Sequence, residues 1–433
     1  MKIRIAALAV LGVLVVTSAV GAIMVGSTPL SAGPVPTLPL TTPFTQEQTL
    51  PPTQPSTQPS TQPSADTPNH LHFLAAGDNL VYPYVRRYAN ILAGGNGVSS
   101  QYKTHGFDYA PMYQAIRPYL DKADLAFYNQ ESLVWDDRAD AAMRATLGDQ
   151  MVEMGFNVVN IANNDMLSSG EQGLLDSIAY WQTKKNVALL GANVGADTAD
   201  HITVIEKNNI KIAFLSYTDG EVTDEEGNKV LQLPEGSSLR LPLMDTERMT
   251  ADVTAAREMA DLVFVYCHWG RVNQNDRDAR QSQIAQHLVD LNVDVILGSH
   301  PNVIQEMKWK NRPDGGRTLI VYSMGNLLSA QPLNNNLLGG LVTMDIDKDP
   351  DRGTCAISNV QFVPLFTHYD ENYKQICLYL LNAYDQAKLD THGSSILVGK
   401  GRYEYFIRTL QKYIGSVFLD PYYTDYTFTD PIT

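Results

Sequence analysis

From Leu71 onward, short apolar runs alternate with amphipathic stretches of helical period, and this alternation constrains the chain more than any other feature. Runs rich in Val, Ile, Leu or Phe recur at 72–76, 125–128, 158–162, 187–190, 211–216, 262–267, 293–297 and 318–322. Helical spacing covers 109–120, 141–154, 171–184, 247–259 and 280–291. Strands separated by helices of this length specify an α/β fold. Asn208-Asn209 reads as a hairpin turn, and the spacing from Gly339 to Pro364 reads as further antiparallel strand. Residues 367–433 read as a helical, tyrosine-rich extension packed on the same body, since ten of the twenty-two tyrosines lie between Tyr369 and Tyr426. With 44% hydrophobic and 18% charged residues, the body can bury a core.

Ahead of it, residues 5–25 carry no charge and follow Lys2 and Arg4. At ~1.5 Å per residue such a stretch crosses the ~30 Å hydrocarbon core. The expectation is one N-terminal transmembrane helix (1–25) at the cell membrane. The positive-inside bias then puts the main domain on the extracytoplasmic side. A signal peptide cleaved near Val20-Gly21-Ala22 is the alternative. Residues 26–69 hold eleven of the twenty-three prolines and repeat Thr-Gln-Pro-Ser, which predicts a disordered linker. As polyproline II it would reach up to about 140 Å. The folded domain is placed at 70–366. Thirty-two basic against forty-seven acidic residues leave a net charge of −15, which excludes nucleic acid as a partner. Three cysteines are too few for a disulfide framework.

In α/β sheets ligands collect beyond the carboxyl ends of strands. Here those positions read Gly77-Asp78, Asn129-Gln130-Glu131, Asn163-Asn164-Asp165, His268-Trp269-Gly270, Gly298-Ser299-His300-Pro301-Asn302 and Ser323-Met324-Gly325-Asn326. Carboxylates, amides and imidazoles gathered at one edge suit a divalent ion of borderline hardness, Mn, Fe or Zn. Singly, each has a blander reading: a turn at Gly77-Asp78, an Asx turn at Asn163-Asn164-Asp165, a satisfied core imidazole at His268 or His300. His105, His287 and His368 lack such a context and read as structural, and Gly94-Gly95-Asn96-Gly97 reads as a turn.

Together, in this order and spacing, these motifs resemble the bacterial poly-γ-glutamate capsule synthesis proteins, the CapA-like family, over roughly 71–364. The resemblance implies a branch of the calcineurin-type metallophosphoesterases, with a four-layer α/β/β/α sandwich and a metal site at the strand ends. It implies Glu131, Asn164, His268 and His300 as ligands of one metal ion, with Asp78 on the side of a second. Two departures stand out. Asp165 replaces a histidine that would serve as acid, and Asn302 replaces a histidine that would hold the Asp78-side metal. Asp165 is then the catalytic candidate, and Asn129, Asn163, Arg86, Asn302 and Asn326 are candidates for substrate binding.

The expected function is a membrane-anchored, extracytoplasmic protein of capsule or poly-γ-glutamate biosynthesis or export. Its expected partners are the anionic envelope polymer and other membrane components of a synthesis complex. A non-catalytic surface module with a decayed site, or a metal-dependent hydrolase of phosphoesterase type with an incomplete motif set, are the alternatives.

Overall fold

The computed structural model describes residues 68–134, 141–191, 201–220, 233, 235, 237, 239–394 and 402–428. The expected transmembrane helix and nearly all of the linker lie outside these residues. Among the described residues no helix is long and apolar enough to cross a membrane.

The strands are β1 (His70–Asn79), β2 (Leu125–Gln130), β3 (Val158–Asn160), β4 (Ala188–Leu190), β5 (Thr203–Lys207), β6 (Ile210–Thr218), β7 (Leu262–His268), β8 (Val295–Ser299), β9 (Met307–Asn311), β10 (Arg317–Val321), β11 (Asn326–Leu328), β12 (Leu338–Lys348), β13 (Cys355–Tyr369) and β14 (Ile376–Leu380). The longer helices are α1 (Pro83–Leu92), α2 (Ala141–Glu153), α3 (Gly170–Gln182), α4 (Thr246–Met259), α5 (Ala279–Asp290) and α6 (Arg402–Tyr413). The result is a mixed α/β fold with two sheets. One is ordered β14-β13-β12-β1-β2-β3-β4, with β11 alongside β1, and the other β5-β6-β7-β8-β10-β9. Within them β1-β2-β3 and β6-β7-β8-β10 run parallel, so their carboxyl ends share an edge.

Aromatic side chains join the sheets face to face. Phe73 of β1 packs against Phe214 of β6 and Phe264 of β7 at centroid distances of 6.2 and 5.1 Å, and Phe127 of β2 meets Tyr266 of β7 at 5.3 Å. Each such buried ring contributes roughly 1.5–3 kcal/mol. The two-residue period of β7 sends Phe264 and Tyr266 into this layer, and Val263, Val265 and Cys267 toward Met249 and Val253 of α4 and Ile284 and Leu288 of α5. His268 therefore falls on the inward face at the strand's end.

All eight apolar runs read from the sequence are strands. Asn208 and Asn209, at φ 53° and 65°, turn β5 into β6 as the hairpin reading required. The helix expected over 109–120 is instead a 3₁₀ segment, Ala110–Ile116, followed by the single turn Arg117–Leu120. Pro111 and Pro118 each remove a backbone donor, which prevents a continuous α-helix. The chain does not change structure at 366/367, because β13 runs through it and β14 extends the same sheet. Beyond, α6 buries Phe406, Ile407 and Leu410 in the core. The cysteines Cys267, Cys355 and Cys377 are free thiols.

Candidate metal centre

The shared edge brings Asp78 of β1, Asn129 and Glu131 of β2, the turn after β3, His268 of β7 and His300 beyond β8 into one place. Asp78 is fully buried and lies opposite Asn129 and Asn326 in the strand register. Its Oδ1 accepts hydrogen bonds from Asn129 Nδ2 at 2.7 Å and from Ser299 Oγ, and its Oδ2 accepts from the His300 backbone N–H at 3.0 Å. That last bond holds His300 at φ 99°, a conformation costing a non-glycine residue about 1–3 kcal/mol. Asn129 Oδ1 in turn accepts from Asn160 Nδ2 at 2.6 Å and Asn163 Nδ2 at 3.2 Å. Asn163 Oδ1 accepts from the Asp165 N–H at 3.0 Å, an Asx turn that projects Asn164.

Three atoms able to ligate a metal then converge. His268 Nε2 lies 2.5 Å from Asn164 Oδ1 and 3.1 Å from His300 Nδ1, and the latter two atoms are 3.2 Å apart. Asp78, Glu131 and His268 also offer ligand atoms that all lie within 4.8 Å of one another.

Hydrogen-bond direction decides which nitrogen of His268 is available. An ionised Asp78 only accepts, so Ser299 donates to it, and Tyr266 donates to Ser299 Oγ at 2.5 Å. The Tyr266 oxygen is left to accept from His268 Nδ1–H at 3.0 Å. This network assigns the lone pair to Nε2, facing the amide oxygen of Asn164. Two lone pairs at that separation repel unless a cation lies between them. Glu131 Oε2 is likewise buried without a hydrogen-bond partner among the described residues. Two imidazoles, an amide oxygen and buried carboxylates form a donor set that fits a divalent ion.

The electrostatics agree. Burial pushes Asp78 up to about 6, against the pull of its three donors, and raises Glu131 well above the usual carboxylate range, with the charge of Asp78 adding to it. Burial also raises Asp165. It lowers His268 well below the ordinary imidazole value and brings His300 down to about 4, so both rings are neutral near neutrality, the form a metal requires.

Two glycines are required by close approach. A Cβ on Gly77 would lie 1.8 Å from the Gly325 carbonyl oxygen, and one on Gly298 would lie 2.1 Å from the Tyr322 oxygen and 2.6 Å from Trp269 Nε1. Trp269 stacks on Tyr322 at a centroid distance of 5.8 Å and donates to the Tyr322 carbonyl at 2.8 Å.

The other residues singled out in the sequence fall into two groups. Arg86 of α1 lines a cleft with Asp165 beside the donor set. Asn326 donates its amide to the Asn336 carbonyl at 3.0 Å and the Asn302 carbonyl at 3.4 Å, so both asparagines brace the loop behind His300. Sequence reasoning missed Tyr266 and Asn160, and gave Ser299, within the 298–302 run, no role of its own. Tyr266 could have been found from the strand period, two residues before His268 on the same face. Asn160 could have been found as a polar residue closing an apolar strand.

Residues 72–331 match the model of a family described as bacterial capsule synthesis protein PGA_cap. The PGA biosynthesis protein CapA of Bacillus subtilis strain 168 is 28% identical over 249 residues, 55% of this chain and 62% of that one. The capsule biosynthesis protein CapA of Bacillus anthracis is 28% identical over 276 residues, 61% of this chain and 64% of that one. The match thus spans less than two thirds of either relative. Among solved structures, a novel phosphatase from Mycoplasma pneumoniae aligns with a TM-score of 0.37 at 14% identity, covering 69% of this chain and 94% of that one.

Proposed function

The chain belongs to the bacterial capsule synthesis protein family PGA_cap, and from that premise we propose that it acts in the synthesis or export of an anionic capsule polymer of poly-γ-glutamate type. The observation that carries the reading is the convergence of Asn164, His268 and His300 beside buried Asp78 and Glu131, at the edge where the two sheets meet. Glu131, Asn164, His268 and His300 would hold one divalent ion, Mn, Fe or Zn, with Asp78 on its far side. Such an ion supplies Lewis-acid polarisation of a carbonyl or phosphoryl oxygen. The protein's own residues orient it. Tyr266 and Ser299 fix the His268 tautomer, Asn129 and the His300 N–H hold the Asp78 carboxylate, and the Asn163 turn aims Asn164. Asn129, Asn163, Asn302 and Asn326 support the walls of the site, while Arg86 lines the adjoining cleft as a candidate substrate contact. The reading includes a four-layer α/β/β/α sandwich from residue 70 onward that takes in the tyrosine-rich C-terminal part, since β13 and β14 carry its sheet past residue 366. It also includes an N-terminal membrane anchor and linker at 1–69, an extracytoplasmic location, and membrane-bound partners in a synthesis complex.

A second reading, hydrolysis of a phosphate ester, draws on Asp165, which lines the cleft beside the donor set where an acid is needed. Steady turnover of an aryl phosphate by the Mn-loaded protein, lost in Asp165→Asn, would favour it.

Complementation of a deletion strain tests the first reading. The wild-type gene restores surface anionic polymer, whereas His268→Ala and His300→Ala proteins are made, bind substoichiometric metal by mass spectrometry and restore little. Unchanged surface polymer in the deletion strain overturns it.

A further inference from the structure

Two cavities adjoin the donor set, and size and chemistry separate them. The one lined by Tyr82, Arg86, Ser132 and Asp165 holds about 160 Å³. The other holds about 490 Å³, and Asn164, His268 and His300, the residues whose donor atoms converge, all line it. Pockets that enclose an organic ligand measure about 300–1,000 Å³, so a chain of linked units has room only in the larger.

Charge is the second distinction. Asp219, Asp278, Arg271 and Arg280 line the larger cleft and cancel one another, in a chain that carries −15 overall. Three of the four are engaged. Asp219 pairs with Arg280 at 2.7 Å, and Asp278 caps α5 by accepting from the Gln281 N–H at 2.8 Å. Arg271 is exposed and, among the described residues, makes no side-chain hydrogen bond or ion pair. Arg277, by contrast, is tied to Glu306 and lies over the Tyr322 ring.

The backbone around Arg271 is fastened to the site. Gly270 precedes it at φ 91°, a conformation that favours glycine, and a Cβ there would lie 2.6 Å from the Gln281 side chain. Two residues on, the Asn273 N–H donates to the Pro301 carbonyl, next to His300, at 2.8 Å, and Asn275 Nδ2 donates to the Ile304 carbonyl at 2.8 Å. The Arg271 backbone therefore stands at a set place relative to His300, which lowers the ordering cost of binding a ligand that reaches both.

We propose that the larger cleft is the polymer's route to the metal centre, and that Arg271 holds a carboxylate of the chain there through a bidentate guanidinium–carboxylate pair. Arg271 is then a specificity residue, distinguishing a chain that bears carboxylates from a neutral chain of the same shape. The proposal rests on the polymer reading given above and adds its route and its anchor.

Fluorescence anisotropy on the Mn-loaded full-length chain tests it, using an end-labelled γ-linked glutamate pentamer and the same pentamer with its α-carboxylates converted to amides. Arg271→Glu weakens the glutamate pentamer by about tenfold and leaves the amide pentamer as in wild type, and Arg271→Lys, a point charge without the fork, recovers part of the loss. Lys122→Glu makes the same charge change on an exposed lysine ahead of β2, at the opposite end of that strand from Glu131, and shifts either ligand by less than about twofold. Gln283→Trp, which fills the larger cleft from the exposed side of α5, weakens both pentamers. Unchanged binding in Gln283→Trp overturns the route. Equal effects of Arg271→Glu and Lys122→Glu on the glutamate pentamer, or an equal loss for the amide pentamer in Arg271→Glu, overturn the anchor while the polymer reading stands. Failure of the Mn-loaded wild type to bind the glutamate pentamer overturns the polymer reading itself.

Discussion

Replacing Tyr266 with phenylalanine removes one oxygen from a ring that is 2% exposed, and it isolates the role of the hydrogen-bonded path behind His268. The ring keeps its contact with Phe127 at 5.3 Å. What is lost is the bond to His268 Nδ1 at 3.0 Å and the bond to Ser299 Oγ at 2.5 Å. Ser299 still donates to Asp78, so the exposed deficit is one buried imidazole N–H. A buried donor without a partner costs about 1–3 kcal/mol, so the chelator-treated Tyr266→Phe protein should unfold in urea with about 2 kcal/mol less stability. The second effect falls on the ion. Loss of the outer partner of a ligating imidazole lowers metal affinity by about 10–100-fold. Isothermal titration of Mn into the stripped full-length proteins reads that change directly. A Tyr266→Phe protein that loses stability but binds Mn as tightly as wild type would refute the assignment of the tautomer to this path.

Two further outcomes follow from the same geometry. Asp78 has a folded value near 6 against an ordinary 3.8, so the folded state holds the extra proton between those values and loses about 3 kcal/mol as pH rises through them. His300, lowered to about 4, runs the other way, losing stability as pH falls from 6.5, so the measurement is the difference between Asp78→Asn and wild type, both metal-free. That difference should shift by about 3 kcal/mol in favour of the variant from pH 4 to pH 6, and a flat difference in urea unfolding counts against the burial argument. Gly298→Ala drives a Cβ into the Tyr322 carbonyl and the Trp269 indole and should destabilise by about 3 kcal/mol. Wild-type stability would show that β8 and β10 separate freely.

The sequence made the parallel strands and the polar residues gathered at their ends legible for one reason: each core strand is buried on both faces, so its apolar run is continuous and the polar residue that ends it stands out. Asp78, Glu131, His268 and His300 all stand at such endings. The signal weakens wherever burial is one-sided. β9 reads Met-Lys-Trp-Lys-Asn, with half-exposed lysines that resemble loop, and it lies at the edge of its sheet. α1 begins with Pro83 after Tyr82, a first-turn proline that signals a start only once the helix is known. Ser299 and Tyr266 were illegible as site residues because their importance is relational. Ser299 matters for accepting from Tyr266 while donating to an aspartate 221 residues earlier, and no local pattern encodes that pairing.

That same bond carries a consequence for the order of folding. Asp78 arrives on the sheet built around β1, and Ser299 and His300 on the sheet built around β7 and β8, so neither sheet alone possesses the full set of candidate donors. β1 must also wait for β12, where His70 faces Asp347, before it is paired on both sides. Contacts this distant in sequence close late and slowly. An ion held as proposed would have nothing to bind until the last barrier is crossed, so adding it should leave the refolding rate unchanged while slowing unfolding, as a clasp on the finished molecule and not a template for its assembly.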